Sequence, residues 1–174
     1  MKVISLEESN TNIRLFLLKN VKDVKSLKEK IISGELDCCA VKPSLIINCF
    51  QIVVAANKAA INEKIGKLAT KCLNTELLFN LSISRNITQS LNTFGIGEKD
   101  EHILIVIFEK KGESKFDCMK DYFQGEICDA EEINQFSDIK LIKKTYKITD
   151  KELEVSQLLD SIVSRIATKD LGSF

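Results

Sequence analysis

Short apolar runs bounded by turn residues open the chain. Val3 to Leu6 and Ile13 to Leu18 flank the polar stretch Ser9-Asn10-Thr11-Asn12, a pattern that predicts two strands joined as a hairpin. From Val24 to Ser33 the period changes: Val24, Leu27 and Ile31 recur at three- and four-residue spacing, Asp23 stands where a cap is needed, and Gly34 ends the turn. That is a helix. Leu45 to Asn48, after Pro43, reads as a short strand. The run from Phe50 to Ile61 begins with β-branched residues, but its alanines, its length and the stop at Gly66 predict a helix. Thr75 to Leu81 and Ile87 to Phe94 read as two shorter helices, the second stopped by Gly95.

His102 to Glu109 contains the uninterrupted apolar run Ile103 to Phe108, which predicts a strand at the centre of a sheet with helices over both faces. Glu113 to Asp138 is acidic and weakly periodic, and it predicts only an excursion of short elements. At the end, Thr149 and Glu152 form a capping-box pair ahead of an apolar stripe of Val155, Leu158, Leu159, Ile162, Val163 and Ile166, the signature of a last helix. Taken together, the elements predict an α/β domain of the α+β kind. A small mixed or mostly antiparallel sheet packs with several helices, and residues 1–174 form a single domain.

Composition agrees with one globular core: 174 residues, 44% apolar, with only 7 Gly and 1 Pro. Lys plus Arg and Asp plus Glu stand at 25 each. That balance excludes a protein that grips nucleic acid or an anionic membrane by bulk charge, so any such contact must be local. The zero is also a cancellation. Lys58, Lys64, Lys67 and Lys71 face only Glu63, whereas Glu113, Asp117, Asp121, Glu126, Asp129, Glu131 and Glu132 outweigh Lys115 and Lys120. The start of the chain lacks the apolar core and small-residue cleavage site of a secretory signal, and no apolar run approaches the roughly 20 residues that cross a bilayer. The expectation is a protein without a membrane association, resident in cytoplasm and nucleus, its six cysteines reduced.

Catalytic chemistry is hard to assemble from these residues. The one histidine, His102, lies at the mouth of an apolar strand, and no cysteine pair has zinc-ligand spacing. Gly95-Ile96-Gly97 has no following glycine to make a phosphate loop and reads as a helix stop plus a turn. The expectation is no catalytic residue, no metal and no cofactor.

The segment Phe50 to Ala59 (Phe-Gln-Ile-Val-Val-Ala-Ala-Asn-Lys-Ala), then Thr75 to Ser82, Phe94-Gly95-Ile96 and the terminal block Leu158 to Asp170, occur in an order and spacing that resemble the kinase-binding subunit family of the KEOPS complex. Residues 113–138 carry little of this likeness, and Asn48-Cys49 stands where relatives are expected to have Asp-Pro. The resemblance implies a non-catalytic subunit that docks on the complex's small atypical kinase and reaches the other subunits through it. It further implies a role in forming threonylcarbamoyladenosine beside the tRNA anticodon, with weak local contact to the single-stranded CCA end.

For kinase docking the residues singled out are Leu158, Leu159, Ile162, Val163 and Ile166, a helical stripe that also suits a core. For tRNA they are Lys58, Lys67, Lys71, Arg85 and Asn86. Each lysine that neutralises a phosphate adds an apparent salt slope of about 0.7 on a single strand, and Arg85 with Asn86 offers groups for bases. Phe50 and Phe79 are expected in the core. Lys58 interrupts an alanine-rich run, where a long cation has reason to reach a cleft. The alternative is a small-molecule-binding or enzymatic domain with Asn57, Lys58 and Glu76 in one cleft.

Overall fold

The computed structural model describes residues 1–172. Five strands, β1 (Lys2–Leu6), β2 (Thr11–Lys19), β3 (Cys39–Val41), β4 (Ile103–Lys110) and β5 (Glu126–Cys128), form one antiparallel sheet in the order β1-β2-β4-β3, with β5 also on β2. The expected hairpin is β1–β2, with Lys2 opposite Leu15 and Leu6 opposite Thr11. Asn10 takes the left-handed conformation, φ 55°, that its tight reversal needs. β4 runs beside β2 from Ile103 opposite Leu18 to Lys110 opposite Thr11. β1 and β5 therefore share the other side of β2, β5 pairing with Leu17 to Lys19.

The period of two in the central strands sorts their side chains into two cores. Leu104, Val106 and Phe108 of β4, with Ile13 and Leu15 of β2, face one; Ile103, Ile105 and Ile107, with Phe16 and Leu18, face the other. Both cores are covered, which is why β4 is apolar throughout. The smaller one is closed by α1 (Val24–Ser33) and by α5 (Lys115–Met119), whose Phe116 meets Phe16 edge-on at 5.4 Å while Phe123 does so at 5.1 Å. α1 has the expected ends: Asp23 accepts from the Ser26 amide, and Gly34 sits at φ 82°.

The larger core lies under α2 (Cys49–Lys64), α3 (Leu73–Leu81), α4 (Ile87–Phe94), α6 (Ile139–Tyr146) and α7 (Leu158–Thr168). Ala55, Ala56, Ala59 and Ala60 of α2 are all buried, and their small side chains let α3 come close enough for Asn80 to donate to the Ala55 carbonyl at 3.2 Å. A polar link spans this core. Gln51 donates to the Tyr146 hydroxyl at 2.8 Å, and that hydroxyl donates to the Leu81 carbonyl at 2.6 Å, joining α2, α3 and α6 with no polar group on this path left unsatisfied.

Four expectations need correction. Leu45–Asn48 is not a strand: Pro43 starts a 3₁₀ turn through Leu45, and Asn48 caps α2 by accepting from the Phe50 amide at 2.8 Å; the strand is Cys39–Val41. The capping pair at Thr149 exists, since its hydroxyl accepts from the Glu152 amide at 3.2 Å, but it opens only a 3₁₀ turn over Glu152–Glu154. Val155, placed in the apolar stripe, is 89% exposed, and the helix begins three residues later. Phe50 is 51% exposed, because Cys49, Gln51 and Ile52 take the inward positions of the first turn of α2 and leave it on the outer side. α6 went unassigned; only Ile142 and Tyr146 face inward from it, among Lys140, Lys143 and Lys144.

Candidate functional site

α7 divides its stripe between two environments. Ile162 and Ile166 are fully buried in the larger core, while Leu158, Leu159 and Val163 remain half-buried at its outer side. A helix turning through 3.6 residues puts positions 162 and 166 on one line and 159 and 163 on the next, so one amphipathic segment both closes the core and presents apolar area beside it. α2, which packs on α7, adds the exposed Phe50 and the half-buried Val53 and Val54. The approach of Glu152 fixes α7 on its other side: its carboxylate receives Arg165 at 2.6 and 2.8 Å, which holds the carboxyl down at about 2.

The basic residues lie in two groups. Lys58 and Arg85 converge on the end of the chain. Lys58 Nζ is 2.8 Å from Asp170 Oδ2 and donates to the Ile166 carbonyl at 3.3 Å, and Arg85 donates to the Gly172 carbonyl at 3.0 Å. Between them sits Lys169, 1% exposed, whose ammonium donates to the Phe79 carbonyl and lies 3.2 Å from the centre of the Phe79 ring. Burial first, then the neighbouring Lys58 charge, lowers the Lys169 amine to about 8, against the pull of Asp170 and Glu76. No feature of the local sequence marks Lys169 as buried; its pairing with an aromatic face emerges only when α3 and α7 meet.

Lys67 and Lys71 form the second group, exposed on the loop between α2 and α3. That loop is ordered by Glu76, fully buried in the first turns of α3. Its carboxylate accepts from the Thr70 amide and hydroxyl, both at 2.8 Å, from the Ala69 amide at 3.2 Å and from Asn62 at 3.3 Å. Asn86 caps α4 by accepting from the Gln89 amide at 2.9 Å. Asn57, Lys58 and Glu76 do not form the cleft expected of a catalytic alternative: Glu76 is spent on backbone donors and Lys58 on Asp170.

His102 lies against the Phe136 ring at 4.6 Å and accepts from the Asn20 amide at 3.4 Å. Cys38 and Cys39 are buried and unpaired; burial pushes the Cys38 thiol up to about 12. Gly95 bridges to Val41, and a Cβ there would lie 2.5 Å from the Leu91 carbonyl, so the glycine is a packing requirement at the helix stop. Among the described residues no cluster of His, Cys, Asp and Glu is arranged to hold a metal ion, and no helix is long and apolar enough to cross a membrane.

Comparison with known proteins places the chain in a family. Residues 18–170 match the family described as "Kinase binding protein CGI-121". The chain is 37% identical over 157 residues to a zebrafish (Danio rerio) protein named "EKC/KEOPS complex subunit TPRKB", with 90% of each chain covered. It is 28% identical to the Debaryomyces hansenii "EKC/KEOPS complex subunit CGI121", covering 81% of this chain and 80% of that one. Against the Schizosaccharomyces pombe subunit of that name, identity is 26%, over 91% and 94%. With a family match over most of its length and relatives aligned nearly end to end, the chain belongs to the CGI-121 family of kinase-binding proteins.

Proposed function

We propose that this protein is a non-catalytic subunit of an EKC/KEOPS complex that binds the complex's small atypical kinase directly and its other subunits through that kinase. The names of its relatives support membership of the complex, and the family's description supports the kinase as partner. The observation that carries the docking surface is the exposure of Phe50 on α2, the helix packed against α7, together with the half-buried Leu158, Leu159 and Val163 of α7 itself. An exposed aromatic flanked by half-buried aliphatics is apolar area that gains by being covered, and aromatic anchors dominate protein interfaces. Ile162 and Ile166 belong to this docking element as its inner support. Co-expression with the cognate kinase followed by size exclusion tests the reading: stable one-to-one co-elution is expected, and separate elution refutes it.

The subunit's second role, in this reading, is to help hold the CCA end of tRNA during threonylcarbamoyladenosine formation next to the anticodon, in cytoplasm and nucleus. Lys58 and Arg85 meeting at one place, with exposed Lys67 and Lys71 and the cap residue Asn86 on nearby loops, support a weak, local, phosphate-directed contact. A gel shift of the assembled complex with intact and CCA-truncated tRNA tests it, loss of the CCA end weakening the shift.

A further inference from the structure

A cleft of about 630 Å³ opens beside the edge strand β3, between α1 and the facing ends of α3 and α4. Its floor is aliphatic: Ile31, Leu36, Ala40, Leu78, Leu91 and Ile96. At the mouth Ile32 is 75% exposed, a large side chain on α1 with nothing covering it. Three lysines line the opening, each from a different wall: Lys28 from α1, Lys42 after β3, and Lys71 ahead of α3. Lys42 makes only a 3.4 Å bond to the Asn92 carbonyl, and none of the three forms an ion pair among the described residues. The one acid at the rim, Asp37, is already engaged by Lys115 at 2.5 Å and by Asn74 at 2.8 Å.

We propose that this cleft docks an acidic segment of a partner protein, with aliphatic side chains on the floor and carboxylates at Lys28, Lys42 and Lys71. Three features select that occupant. The lining holds no aromatic ring and no arginine, so it lacks the stacking platforms that capture unpaired bases. Three cations spread over three walls call for several anionic groups along one ligand, which the single carboxylate of a fatty acid does not offer. The exposed Ile32 at the mouth gives apolar area that a segment running out of the cleft covers and an enclosed small molecule does not.

The cleft shares Lys71 with the tRNA reading, so the test uses Lys28 and Ile32, which have no part in it. Short random peptides arrayed on a membrane are probed with the full chain, and the retained peptides are measured in solution by fluorescence anisotropy. Retained sequences are expected to pair Asp or Glu with Leu, Ile or Val and to weaken with added salt. Affinity is expected to fall roughly tenfold with Lys28→Glu, attraction being replaced by repulsion at one contact, and comparably with Ile32→Glu. Both variants keep their far-ultraviolet dichroism, since neither side chain is in a core. Enrichment of basic or aromatic peptides, no retained peptide, or unchanged affinity in both variants overturns the proposal. So does displacement of the best peptide by laurate or by oligouridylate at lower concentration, which assigns the cleft to a lipid or to RNA.

Discussion

Lys58 on α2 and Asp170 just past α7 are joined by an ion pair of 2.8 Å, which places a carboxylate on the cation that the tRNA reading needs. An aspartate in that position competes with phosphate for the same ammonium. Asp170→Asn in the assembled complex is expected to tighten tRNA binding at low salt and to steepen the salt dependence by about 0.7 for one released contact. Lys58→Glu is expected to do the reverse. A gel shift across a salt series reads both; unchanged binding in both variants removes Lys58 from the contact.

Exposure separates the two halves of the α7 stripe. Phe50→Asp and Val163→Glu change outer residues, where substitutions cost roughly 0.5 kcal/mol or little more, so each variant folds but fails to co-purify with the kinase. Ile162→Arg puts a charge into a fully buried site at a cost of several kcal/mol, comparable with a domain stability of about 5–15 kcal/mol, and the chain is expected not to fold. Circular dichroism beside the pull-down distinguishes the two outcomes.

Lys169 makes stability depend on pH in the alkaline range. Its amine is lowered to about 8 in the folded chain from 10.5, so the unfolded chain holds the extra proton between those values and stability rises with pH across that window. Buried thiols oppose this above about pH 9, since the Cys49 thiol is pushed up to about 11 and its stabilising proton is lost only from the unfolded chain there. The clean measurement is the difference between wild type and Lys169→Met in chemical denaturation. Wild type should gain on the variant from pH 8 to pH 10, and a flat difference would exclude the lowering of the Lys169 amine by its burial.

At acid pH the pair to watch is Glu152 with Arg165. The carboxyl is held at about 2 against an ordinary 4.5, so its contribution is complete above pH 4.5 and is lost as pH falls toward 2. Glu152→Gln is expected to reduce the slope of stability against pH in that interval and to leave kinase binding measurable at neutral pH. Thermal melts at several pH values check this.

Patterns that repeat within one element were legible in the chain. β4 announced itself by six apolar residues because both of its faces are covered, and α1 by a complete set of period, cap and stop. β3 was not legible, because Cys39-Ala40-Val41 is too short to show alternation and the nearby Pro43 belongs to a turn. α6 hid because Ile139 and Leu141 are exposed beside Ile142, blurring a stripe that has only two inward positions. The site divided in the same way. The α7 stripe, Lys58 and Arg85 could be named, but that Arg85 and Lys58 meet at one end of α7 is a property of the packing. The cleft had no signature at all, since its walls come from four segments spread between Lys28 and Gly97.

Glu76 is one carboxylate that stands in for the backbone partners a loop normally lacks, fastening Ala69 and Thr70 to α3 from inside. Its consequence is kinetic as well as geometric. The lysines carried by that loop, Lys67 and Lys71, ride on a chain segment whose conformational freedom is already spent during folding, so an incoming partner meets a template and not a search. A protein with no net charge can in this way present cations at nearly full effect, because little of the encounter is lost to ordering the loop that bears them.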